Sequence, residues 1–103
     1  MTKKFTLSIG LNDKDTKNQR LSTLEAYKLI ENVIIEKVGG GSIFEGRGIY
    51  KHDNGEIVIE NSLAVELYGC NEADCIEIIN VLKVSLNQES IILTTEAVNS
   101  KFI

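Results

Sequence analysis

Apolar and polar residues alternate over Lys4–Leu11. Phe5, Leu7, Ile9 and Leu11 fall on one side, Thr6, Ser8 and Gly10 on the other. Period two over this length predicts a strand with one buried face. Asn12–Arg20 is polar throughout and rich in turn formers, and reads as a loop. Ser22 then stands three residues before Glu25, the capping-box spacing in which each side chain satisfies a backbone N–H at a helix start. Ala26, Tyr27, Ile30, Val33, Ile34 and Val38 recur at helical spacing, and Gly39-Gly40-Gly41 ends the helix.

Ile43–Leu67 predicts two long strands folded on Asn54-Gly55, a pair that favours a two-residue type I′ turn because both residues tolerate positive φ. That turn opposes His52 with Ile57, Tyr50 with Ile59, Gly48 with Asn61, Gly46 with Leu63 and Phe44 with Val65. Opposed residues share a face. The expected core face is Phe44, Gly46, Gly48, Tyr50, Ile57, Ile59, Leu63, Val65 and Leu67. The other face carries Ile43, Glu45, Arg47, Ile49, Lys51, Val58, Glu60, Ser62, Ala64 and Glu66. Gly69 and Asn71 close the strand and cap a second helix, with Asp74 in its first turn and Cys75, Ile78, Ile79, Leu82 and Leu86 as its apolar stripe. Asn87–Ser90 is an exit loop, Ile91–Ala97 the last strand and Asn99–Ile103 a short tail. The order β-α-β-β-α-β with right-handed crossovers predicts an α+β, ferredoxin-like sandwich over residues 1–103. Two helices cover one face of a four-stranded antiparallel sheet of order 4-1-3-2.

Composition narrows the class. At 103 residues the chain fits one domain, and 43% hydrophobic with 25% charged residues is ordinary for a folded protein. A net charge of -4 argues against a nucleic-acid backbone as the partner. The middle-strand aromatics, Phe5 and Tyr50, are expected on the core side, which further argues against RNA on the sheet. No run approaches the roughly 18 apolar residues of a membrane span, and no signal peptide is legible, so the expected location is cytoplasmic. Cys70 and Cys75 match neither C-x-x-C nor a zinc pattern, and read as reduced structural cysteines.

The topology brings three connections to one end: the loop Asn12–Arg20, the turn at His52–Gly55 and the loop Asn87–Ser90. Asn12, Lys14, Arg20, Lys51, His52, Gln88, Glu89 and Ser90 gather there beside the capped start of the first helix. Free N–H groups and nearby cations suit a phosphate or carboxylate. Arg47, between Gly46 and Gly48, is expected outward, paired across strands or presented to an anionic ligand between subunits. The mixed apolar and charged open sheet face predicts a homodimer or higher oligomer. Asp13, Asp15, Asp53 and Glu89 match no calcium loop, and neither a metal nor another cofactor is expected. No nucleophile elbow or phosphate loop is present, and His52, the only histidine, reads as a turn residue, so no catalytic set is assigned.

Three pieces, LSIGLND (Leu7–Asp13), GSIFEGRGIYKHDNGEIVIENS (Gly41–Ser62) and LNQESIIL (Leu86–Leu93), resemble the uncharacterised bacterial and phage family DUF3574. Tyr50 in G-I-Y resembles the family's aromatic position in G-x-W. The resemblance implies a ferredoxin-like domain and draws attention to Arg47, Gln88, Glu89 and Ser90. The expectation is a small oligomeric phage or mobile-element accessory protein that sequesters an anionic ligand, such as a nucleotide immune signal, without catalysis. The alternatives are a protein-binding inhibitor of a host factor, such as a defence or CRISPR component, and a dimeric α+β-barrel-type enzyme.

Overall fold

The computed structural model describes residues 2–103. The elements are β1 (Thr2–Gly10), α1 (Thr23–Val38), β2 (Ser42–Lys51), β3 (Ile57–Tyr68), α2 (Glu72–Ser85) and β4 (Ile92–Val98). They form one four-stranded sheet of order β2-β3-β1-β4, antiparallel at every junction. Read from the β4 edge, that order is 4-1-3-2. Phe5, Leu7 and Ile9 of β1 and Leu63, Val65 and Leu67 of β3 pack against Ala26, Ile30 and Ile34 of α1 and Cys75, Ile78 and Leu82 of α2. The fold is the α+β ferredoxin-like sandwich, with both helices on one face.

Local chemistry sets the helix ends. Ser22 Oγ accepts the Glu25 N–H at 3.1 Å while Glu25 Oε1 accepts the Ser22 N–H at 3.3 Å. Asn71 and Asp74 exchange the same pair of bonds at the start of α2, at 2.8 and 3.2 Å. Gly39 takes φ 83° at the end of α1, where its N–H reaches the carbonyls of Ile34 and Ile35. A β-carbon there would strain the backbone.

The hairpin corrects the expected register. A type I′ turn needs positive φ at both Asn54 and Gly55, and only Gly55, at 90°, has it. The loop is instead Asp53-Asn54-Gly55. His52 N–H donates to Glu56 O at 2.8 Å, Gly55 N–H to His52 O at 2.9 Å, and Glu56 N–H to Asn54 Oδ1 at 2.9 Å. This is the three-residue hairpin with a left-handed glycine in last place. Tyr50 therefore opposes Val58, Arg47 opposes Asn61 and Ile43 opposes Val65. The slip of one residue carries the whole of β2 to the other face. The β3 sorting stands, but Phe44, Gly46, Gly48 and Tyr50 lie on the open face. Ile43, Glu45, Arg47, Ile49 and Lys51 lie on the helix side. Packing favours this register: Ile43 joins the core over Val65, and Gly41 lies so close to β3 that a β-carbon would sit 2.6 Å from Leu67 Cδ2.

β1 pairs with β3 only as far as Ser62. Beyond it β2 and β3 continue as a two-stranded arm, and the molecule measures 46 × 26 × 22 Å. The arm carries Ile49, Ile57 and Ile59 on its helix-side face, 72%, 65% and 55% exposed, since neither helix reaches that far.

Candidate functional site

Asp13 organises the loop end. The chain leaves β1 through Leu11, whose N–H donates to Asn61 O at 3.0 Å, and buries the Asp13 carboxylate. Asp13 Oδ1 accepts the N–H groups of Asp15 and Thr16, both at 2.9 Å, and Oδ2 accepts the Asn87 amide at 2.8 Å. Arg20 Nε stands 3.6 Å from Oδ2. The Thr16 N–H and then the Asn87 amide hold the carboxyl at about 2, below its usual 3.8, against the opposing effect of burial. Asp15 N–H and the Arg20 charge add to the lowering.

The expected site residues divide into two groups. Asn12, Lys14, Arg20 and Gln88 come together around Asp13. Gln88 Nε2 donates to Asn12 O at 2.7 Å, Lys14 N–H to Asn87 O at 3.0 Å, and an Arg20 guanidinium nitrogen to Ser85 O at 3.3 Å. Glu89 and Ser90 follow in the chain and are exposed. Lys51 and His52 stand apart toward the tip of the arm, and Arg47 stands at its root opposite Asn61, whose amide donates to Gln19 Oε1 at 2.9 Å. Arg47 is exposed on the helix side, so the expected presentation on the open face does not form. His52 meets Tyr50 edge to face, ring centroids 5.1 Å apart. At the start of α1, Glu25 already places its own negative charge on the capping box, so the helix end is partly supplied with an anion.

A second constellation, on the open sheet face, was not legible as a site. Glu60 of β3 is half-buried, and its Oε2 accepts the Asn12 N–H at 3.0 Å. Among the described residues nothing donates to Oε1. Glycines make the room. Gly48 lies directly opposite Glu60. A β-carbon on Gly10 would collide with the Glu60 carboxylate, reaching 2.8 Å from Cδ. Gly46 and Gly10 both oppose Ser62, giving a floor of backbone and one hydroxyl. Phe44 and Tyr50, each about half exposed, stand on β2 beside this floor. The signal in the sequence was Gly10, Gly46 and Gly48 in otherwise alternating strands, but it converges only once the register is known.

A hollow of about 200 Å³ lies elsewhere, between the end of α1 and the start of β2, lined by Tyr27, Glu31, Ile34, Ile35, Gly40, Gly41 and Ile43. Its size is not matched by chemistry: it has one carboxylate, one phenol and no cation. No group of three or more His, Cys, Asp or Glu side chains among the described residues is placed to hold a metal ion. Among the described residues no helix is long and apolar enough to cross a membrane.

The fold and the open-face site place the chain among small α+β sandwiches. No family model matches it, and no curated protein does. Solved structures share the fold. A phage S-adenosylmethionine lyase in complex with S-methyl-5'-thioadenosine superposes with a TM-score of 0.66 at 20% identity, over 92% of this chain and 80% of that one. The same lyase in its apo state gives 0.66 at 20% identity, over 91% and 78%. The periplasmic divalent cation tolerance protein CutA from Archaeoglobus fulgidus gives 0.62 at 11% identity, over 99% and 88%.

Proposed function

We propose that this chain is a phage-type accessory protein that binds S-adenosylmethionine on the open sheet face and cleaves it to S-methyl-5'-thioadenosine. The observation that carries the reading is the Glu60 carboxylate, anchored by Asn12 in a glycine-floored trough beside Tyr50 and Phe44. A carboxylate next to aromatic faces suits a ligand that joins a cationic sulfonium to a flat base. The fold likeness to the lyase supports the choice of ligand.

This chemistry requires no acid–base set. A lyase step on S-adenosylmethionine needs no outside nucleophile. The substrate's own carboxylate oxygen attacks its γ carbon. The carbon–sulfur bond breaks, its electron pair stays on sulfur, and the products are S-methyl-5'-thioadenosine and a four-carbon amino lactone. No proton or water is consumed. Such a reaction depends on holding the folded conformer and excluding water, which positioning residues can supply. In this reading Glu60 orients the cationic part of the substrate and Tyr50 packs on it.

A second copy of the chain covers the arm in the same reading. A lone two-stranded ribbon is marginal in water, and this one is apolar on both faces, with Ile49, Ile57 and Ile59 on one and Tyr50 and Val58 on the other.

The test is incubation of the purified chain with S-adenosylmethionine and chromatography for the thioadenosine, with calorimetry for binding. Turnover in the wild type, reduced at least about ten-fold in Glu60→Gln, supports the proposal. Tight binding without product would replace it with sequestration, the reading that the missing catalytic set suggested first. Neither binding nor product would remove the ligand assignment.

A further inference from the structure

Cys70 and Cys75 are both free thiols, and their sulfurs lie 4.0 Å apart across the junction of β3 and α2. The residues between them are Asn71, Glu72, Ala73 and Asp74, so the ring the two sulfurs would close encloses the whole capping box of α2. We propose that this pair is a dithiol–disulfide site, a redox-sensitive clasp that fastens the first turn of α2 to the end of β3.

Three observations carry the proposal. The sulfurs already touch, so closure to the roughly 2.05 Å of a disulfide needs only about 2 Å of approach. The motion has a source, because Cys70 lies in the connection after Gly69, whose φ is 75°, and is not tied into a strand or helix. Access is unequal: Cys75 is buried at 0% exposure, whereas Cys70 is half-buried. An oxidant therefore meets Cys70 first.

With a low-molecular-weight disulfide as oxidant, the steps balance. The Cys70 thiolate attacks the small disulfide, forms a mixed disulfide and expels one small thiolate. Cys75 then gives up its proton and attacks Cys70 Sγ, expelling the second. Two protein thiols are oxidised to one disulfide, and one small disulfide is reduced to two thiols. Burial, then the neighbouring Cys70, pushes the Cys75 thiol up to about 12. The second step therefore accelerates as pH rises.

The site stands at the Tyr68 end of β3, where Lys4 opposes Tyr68, and Glu60 lies toward the other end of the same strand. The clasp is thus independent of the proposed ligand, and the two readings fail separately. The test is treatment of the full chain with glutathione disulfide under native conditions, followed by intact mass and thiol counting. The expected result is loss of two hydrogens and both thiols without a lasting adduct, faster at higher pH, with the oxidised chain melting at a higher temperature. Cys75→Ser should stop at a single stable glutathione adduct, and Cys70→Ser should resist the reagent. A persistent adduct on the wild type, two unreacted thiols, a disulfide-linked dimer, a lower melting temperature on oxidation, or unhindered reaction of Cys70→Ser would each overturn the proposal.

Discussion

Asp13 spends both carboxylate oxygens on the chain itself, tying the loop after β1 to the loop after α2. Its depressed pKa has a definite sign in stability. The folded state holds the charged form better than the unfolded chain does, so the contribution is complete above the ordinary value of 3.8 and is lost as pH falls through about 2. Asp13→Asn should lower the melting temperature by several degrees at neutral pH, and the gap from wild type should close between pH 4 and 2. Thermal melts across that window check this. Gly10 makes a different prediction. Its added methyl would meet only the flexible end of Glu60, so Gly10→Ala should change stability by less than about 1 kcal/mol. It should nevertheless displace the carboxylate from the Asn12 N–H and weaken ligand binding. Gly48→Ala, with its nearest contact an ordinary 3.5 Å, should leave the carboxylate in place but weaken binding by filling the trough floor, and calorimetry on the two variants checks both.

The elements hold through caps and turns whose costs are estimable. Ser22→Ala removes one half of the capping box of α1 and should cost about 1 kcal/mol in denaturant unfolding. Gly55→Ala forces a β-carbon into the left-handed region at φ 90° and should cost about 1–2 kcal/mol. Both helices, their caps and the order of elements were legible in the sequence, because helical spacing and the S-x-x-E pattern are properties of neighbouring residues. The hairpin loop was not. Asn54-Gly55 points to a two-residue turn on local preference, but Asp53 joins the loop, and Asn54 closes it with its own side chain on the Glu56 N–H.

The molecule is a sandwich with an arm, and the proposed pairing of two copies runs through that arm. Replacing Ile57 and Ile59 together by serine removes apolar surface that no element of the chain covers, so the fold should remain and self-association should weaken. Sedimentation equilibrium with circular dichroism checks this: an unchanged mass distribution with native ellipticity would mean the arm does not carry the interface. The open face was expected to associate through Val58 and Ala64, which do lie there, and through Ile43 and Ile49. With both on the helix side, the exposed aromatic residues Phe44 and Tyr50 take their place beside Glu60.

The sequence by itself determined the element order and the inward and outward sets of β1 and β3, since each of those strands has one clearly apolar face. It could not determine the facing of β2. That strand carries apolar side chains on both faces, Ile43 and Ile49 on one and Phe44 and Tyr50 on the other, so two registers one residue apart sort it almost equally well. Only the tertiary contacts decided: Ile43 seated over Val65, Gly41 against Leu67, and a loop closed by three residues in place of two. The trough around Glu60 exists because those contacts put Gly46 and Gly48 on the same side as Gly10.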